Sequence, residues 1–73
     1  MTSKMLKETA LDIYEDYTRQ CILGNEKKAS DLAEELAFFI EVEKHNMNPI
    51  DFRALRKLVT RIQKQGHLTI ARL

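Results

Sequence analysis

Apolar residues recur at every third or fourth position through most of the chain, which is the spacing of one face of an α-helix. In the first segment these positions are Leu6, Ala10, Ile13, Tyr14, Tyr17 and Cys21. The pattern predicts a first helix over about residues 4–23. Gly24 favours an end there, because glycine readily adopts the left-handed conformation that terminates helices. Asn25 then offers a cap for a second helix over about residues 26–44.

The second predicted helix is apolar on more than one face. Its main stripe consists of Ala29, Leu32, Ala33, Leu36 and either Phe39 or Ile40. Phe38 and Val42 lie outside that stripe, whereas a short helix that packs on one side should carry a single apolar face. We expect this surplus to contact either helices on two sides or a second chain. Three short helices cover only one broad face of this element, so the pattern favours a second chain.

A third helix is predicted over about residues 49–65. Asn48 is a good N-cap, Pro49 occupies the first helical position, where its missing N–H costs nothing, and Asp51 suits the positive end of the helix dipole. Met47 and Phe52 have the spacing of a hydrophobic staple. The predicted inner face consists of Phe52, Leu55, Leu58, Val59 and Ile62, and Gly66 favours an end to the helix.

The last residues, 67–73, hold three large aliphatic side chains in a segment too short to assign to helix or strand. We expect this tail to close the core or to contact a partner. The fold class predicted for residues 1–73 is one all-α domain, a three-helix up-down-up bundle with a short docked tail, present as a homodimer. The residues predicted to form the partner or dimer interface are Phe38, Phe39, Val42, Met47, Phe52, Leu68, Ile70 and Leu73.

The net charge of +1 hides a strong asymmetry along the chain. Residues 25–45 carry six acidic and three basic residues, while residues 46–73 carry six basic residues and Asp51 alone. The predicted basic face of the third helix consists of Arg53, Arg56, Lys57, Arg61 and Lys64. Such a face can contact phosphates, steer an acidic protein partner, pair with the acidic second helix or remain solvated.

No set of residues has the spacing of a catalytic or metal site. Cys21, His45 and His67 are far apart in sequence, unlike the paired ligands of a zinc site, and the chain has no glycine-rich phosphate loop. We therefore expect no enzymatic activity and no cofactor. A lone cysteine, a charged N-terminal segment without a secretory signal and no apolar run of about 20 residues predict a soluble, cytoplasmic protein.

Residues 39–58 resemble the dimerisation hook of the Sin-type antirepressors and repressors of sporulating bacteria. The similar positions are Asn46, Met47, Asn48, Pro49, Asp51, Phe52 and Arg53. In those proteins a helix ends in a short turn that contains proline, and a second helix opens with an acidic residue, an apolar residue and an arginine. The resemblance implies a two-helix element that interlocks with a like element on another chain.

The function predicted from these features is that of a small non-enzymatic regulatory or accessory protein. It would bind another protein and modulate it, by sequestering or inhibiting a transcription factor or an enzyme. The apolar surplus would supply the contact, and the basic face would steer an acidic partner. The alternative is a dimeric nucleic-acid-binding protein that uses the basic face of the third helix.

Overall fold

The computed structural model describes residues 2–67 as three α-helices joined by short connections. Helix α1 spans Ser3–Leu23, α2 spans Glu26–Glu43 and α3 spans Pro49–Lys64, with a single 3₁₀ turn at Lys44–Asn46 between α2 and α3. Each helix contacts the other two, and residues 2–67 contain no strand. The predicted all-α three-helix bundle is confirmed, and each predicted helix boundary lies within one residue of the observed one.

Side-chain caps start the first and third helices, and the cap of the third is the one that the sequence predicts. The Thr2 hydroxyl accepts a hydrogen bond from the backbone N–H of Met5 at 3.2 Å. The Asn48 side chain accepts from the backbone N–H of Asp51 at 2.8 Å, and Pro49 follows as the first helical residue. Both caps satisfy backbone donors that a helix start would otherwise leave without partners.

The turn between α1 and α2 is a Schellman motif. Gly24 has φ 78°, in the left-handed region, and its N–H donates to the Cys21 carbonyl while the N–H of Asn25 donates to the Gln20 carbonyl. Asn25 precedes α2, as predicted, but its side chain does not cap that helix. Its amide donates to the Gln20 side chain at 2.7 Å instead, because the turn brings the two together.

One core lies between the three helices. It consists of Leu6, Ala10, Tyr17, Ala29, Ala33, Leu36, Ile40, Met47, Leu55, Val59 and Ile62, each at most 8% exposed. Three of these are alanines with no exposed surface, and such small side chains let helix axes approach closely. Partly buried residues pack around this core, and Cys21, one of the apolar positions of the first predicted helix, is among them.

Hydrogen bonds join the beginning of α1 to the beginning of α3. The Ser3 hydroxyl accepts from the backbone N–H of Asn48 at 2.9 Å and donates to the Asp51 carboxylate at 2.7 Å. The ammonium of Lys7 lies 3.6 Å from the same carboxylate. Asp51 therefore serves α3 twice, as a favourable charge in its first turn and as the anchor that holds α1 alongside it.

We expect Ser3→Ala to lower the free energy of unfolding by about 1 kcal/mol, because it removes two hydrogen bonds between helices. Urea denaturation measures the change. The matched control is Thr60→Ala, since the exposed Thr60 hydroxyl bonds, among residues 2–67, only to a carbonyl of its own helix. The control should stay within about 0.5 kcal/mol of the unaltered chain. Equal values for the two variants would contradict a role for Ser3 in joining α1 to α3.

Candidate protein-interaction surface

An apolar patch lies on the outer face of α2. Burial of Ala33, Leu36 and Ile40 turns one side of the helix toward the core, so the opposite side faces solvent. Phe38 is 71% exposed and Val42 is 53% exposed. They are four residues apart and therefore adjacent on the helix surface. Within residues 2–67, the other helices leave these two side chains uncovered, as expected for a helix with more apolar surface than the bundle buries.

The same outer face of α2 carries acidic residues in the turns that precede the apolar patch. Asp31, Glu34 and Glu35 are exposed there, one to two turns before Phe38. The ion pair of Asp31, with Lys27 at 3.9 Å, joins two well-exposed side chains. Exposed pairs of this kind contribute little to stability. The outer face of α2 therefore presents negative charge followed by apolar surface.

The outer face of α3 carries the predicted basic residues Arg53, Arg56, Lys57, Arg61 and Lys64, and all five are exposed. Among residues 2–67 no ion pair joins any of them to an acidic side chain of α2. The guanidinium of Arg56 lies 5.8 Å from the centre of the Phe52 ring, within the range of a cation–π contact. Pairing with the acidic second helix, one of the alternatives for this face, does not occur within the described chain.

Ile50 is an exposed apolar residue that the sequence analysis did not single out. It lies in the first turn of α3 and is 76% exposed. The sequence could have indicated this position, because Ile50 lies three residues before Arg53 and that spacing places both residues on one helix face. The outer face of α3 therefore begins with apolar surface and continues with positive charge.

Three predicted interface residues have their surface mainly inside the bundle. Met47 is 8% exposed and belongs to the core, so its assignment to an interface was wrong. The α2–α3 connection directs it inward, ahead of the Asn48 cap. Phe39 and Phe52 are partly buried against the core, which leaves only part of each for a partner. Leu68, Ile70 and Leu73 lie outside the described residues.

A second polar cluster joins the end of α1 to the segment after α3. The Tyr17 hydroxyl donates to the Gln65 side-chain oxygen and lies 2.7 Å from Nδ1 of His67. Nε2 of His67 lies 2.7 Å from a carboxylate oxygen of Glu26, at the start of α2. The rings of Tyr17 and His67 meet edge to face, and their centres lie 5.3 Å apart. Nothing in the spacing of these residues indicated their contact.

The environment of Tyr17 suits a structural role. Burial raises the pKa of its phenol well above the ordinary value, and the neighbouring Cys21 thiol adds to the shift. The hydroxyl therefore keeps its proton at neutral pH and can donate that single hydrogen to one acceptor at a time.

Among residues 2–67, no group of three His, Cys, Asp or Glu side chains has the arrangement of a metal site. None of the helices there is long and apolar enough to span a bilayer.

The raised pKa of Tyr17 predicts a loss of stability in alkaline solution. Folded chains hold the phenol proton more tightly than unfolded chains, in which the pKa is about 10. The stabilisation is fully present below that pH. Above it, the unfolded state loses the proton first, and the free energy of unfolding falls by up to about 1.4 kcal/mol per pH unit.

Urea denaturation at a series of pH values from 8 upward measures this fall. Tyr17→Phe should be less stable at every pH, since it lacks the hydrogen bond that the phenol donates, and its stability should fall less steeply above pH about 10. Tyr14→Phe is the matched control and should keep the full decline. An equal slope in both variants would contradict the assignment to Tyr17.

No protein-family model, no curated protein and no solved structure matches the chain.

Proposed function

We propose that this chain is a non-enzymatic regulatory or accessory protein that acts by binding another protein. The observation that carries the proposal is the exposure of Phe38 and Val42 beside each other on α2, next to a helix whose outer face is basic. An exposed apolar patch with a charged surround is typical of a protein-binding surface. The proposal extends to a homodimer, because a second copy would also cover the patch.

The patch and the charges would make different contributions to binding. Burying a phenylalanine or valine side chain contributes about 1.5–3 kcal/mol, and buried aromatic residues dominate many interfaces. Exposed charges add less to affinity, but complementary fields speed association and exclude partners of the wrong sign. Phe38 would therefore set how long a partner stays bound, while the α3 residues Arg53, Lys57 and Arg61 would favour acidic partners.

The mode of action proposed here is sequestration or inhibition of a transcription factor or an enzyme. The exposed apolar residues and the charges around them suit coverage of a partner's own binding face. The resemblance of residues 39–58 to the Sin-type dimerisation hook agrees with this proposal, since that element works by interlocking with a like element.

Affinity capture tests whether the patch binds a partner. The tagged chain is compared with Phe38→Asp and with Ile22→Asp, a matched control at an apolar residue that is 81% exposed on α1. We expect Phe38→Asp to weaken capture of a specific protein about tenfold or more, since a buried charge replaces apolar contact. Ile22→Asp should capture that protein normally. Equal recovery by both variants would contradict a role for the patch.

Nucleic-acid binding is the second candidate, and the exposed basic residues of α3 favour it because no described acidic side chain neutralises them. Its signature is affinity for duplex DNA that falls steeply with salt, because bound cations are released from the phosphates. It would also be lost on reversing the charges of Arg53, Lys57 and Arg61. Fluorescence anisotropy with a labelled duplex distinguishes the candidates, since a protein-binding module should show no duplex binding at physiological salt.

A further inference from the structure

We propose that the outer faces of α2 and α3 bind a second copy of this chain, with α2 of each copy antiparallel to α3 of the other. The inference rests on the proposed function, because it assumes that the patch on α2 is a protein-binding surface, and it names the partner. In this arrangement the apolar end of each outer face meets the apolar end of the other. The acidic residues in the middle of α2 then meet basic residues of α3.

The spacing of residues on the two outer faces supports this register. From Val42, a step of seven residues backward along α2 reaches Glu35, and a further four reaches Asp31. Steps of seven and four return to the same side of a helix. The same steps forward along α3 from Ile50 reach Lys57 and then Arg61.

Antiparallel helices bring together residues that are equal distances from a shared contact point. If Val42 lies beside Ile50 of the second copy, Glu35 lies beside its Lys57 and Asp31 beside its Arg61. One apolar contact and two contacts between opposite charges thus follow from a single alignment. Further along, Lys28 meets Lys64, so the favourable part of the contact ends near Asp31.

Phe38 fits the same alignment. It lies between Val42 and Glu35 on the outer face of α2, and Arg53 lies between Ile50 and Lys57 on α3. The alignment therefore places the Arg53 guanidinium of one copy near the Phe38 ring of the other, an arrangement that is favourable by cation–π attraction. The chain already makes such a contact internally, between Arg56 and Phe52.

The charges concerned are available for a partner. Among residues 2–67 Glu35 forms no ion pair, and neither do Arg53, Lys57 and Arg61. Asp31 has only the long, exposed contact with Lys27 there. Helices α2 and α3 are neighbours that contact each other in the bundle. A two-fold axis would therefore form the contact twice, as in most homodimers.

Charge reversal tests the alignment. Variant A carries Asp31→Lys and Glu35→Lys, and variant B carries Lys57→Glu and Arg61→Glu. Each alone would oppose like charges at both contacts of its own dimer and should dimerise at least about tenfold more weakly than the unaltered chain. In a mixture, lysine on α2 of A meets glutamate on α3 of B, and the native charges meet at the other contact. We expect A and B together to form a mixed dimer.

Sedimentation velocity at micromolar concentration measures these states, and circular dichroism checks that each variant is helical. The matched control is Glu8→Lys with Asp12→Lys, which makes the same charge change at the same spacing on exposed positions of α1. It should dimerise like the unaltered chain. A monomeric unaltered chain, or variants A and B that each dimerise normally, or a mixture that stays monomeric would overturn the proposal.

Disulfide crosslinking keeps the proposal testable if a charge variant does not fold. In a Cys21→Ala background, Glu35→Cys chains mixed with Lys57→Cys chains should crosslink preferentially to each other on oxidation. Asp12→Cys mixed with Lys57→Cys should not, and equal yields in the two mixtures would overturn the alignment.

The outcomes separate this inference from the proposed function. A monomeric chain that still captures a protein through Phe38 would overturn the homodimer and leave the proposed function standing. A dimer with the expected crosslink, together with no capture that depends on Phe38, would support the homodimer and contradict the binding of a separate target. Because both partners use one surface, a captured protein should also displace the second copy.

Discussion

Burial of the inner face of α2 against α1 and α3 is the interaction on which the rest of the surface depends. Ala29, Ala33, Leu36 and Ile40 have no exposed surface, and together they fix how α2 is rotated about its own axis. Once that rotation is fixed, Phe38 and Val42 must face outward, since a helix surrounded on one side cannot bury both sides. Their exposure is a consequence of core packing.

Core packing also explains why, among residues 2–67, no ion pair joins the acidic residues of α2 to the basic residues of α3. Burial of Leu55, Val59 and Ile62 fixes the rotation of α3, as burial of its inner face fixes the rotation of α2. Each fully buried aliphatic side chain contributes about 1.5–3 kcal/mol to stability. An exposed ion pair contributes about 0–1 kcal/mol, too little to rotate either helix toward the other. The acidic and basic faces are therefore both held outward, and this separation leaves the chain with complementary charge on adjacent surfaces.

The sequence predicted the helices and the apolar surplus because both depend on residues close together in the chain. Caps such as Asn48, the glycine turn after α1 and the periodicity of each helix act within a few residues. The inward direction of Met47 and the contact of Tyr17 with His67 depend on segments that meet only after folding, so local patterns did not reveal them. Ile50 was missed for another reason, since the capping signal around Pro49 concealed its place on the basic face.

The two polar junctions of the bundle act on the same pair of helices and leave the proposed interface free. Ser3 bonds to Asp51 and Tyr17 bonds to Gln65, and both pairs are separated by 48 positions in sequence. A constant separation is what parallel helices in register require, so these bonds fix α1 lengthwise against α3. Apolar contact alone tolerates sliding, whereas hydrogen bonds at two distant points do not. The position of α3 along α1 is thus set by polar contacts on the side of α3 that faces α1. The outer residues of α3 take no part in these contacts.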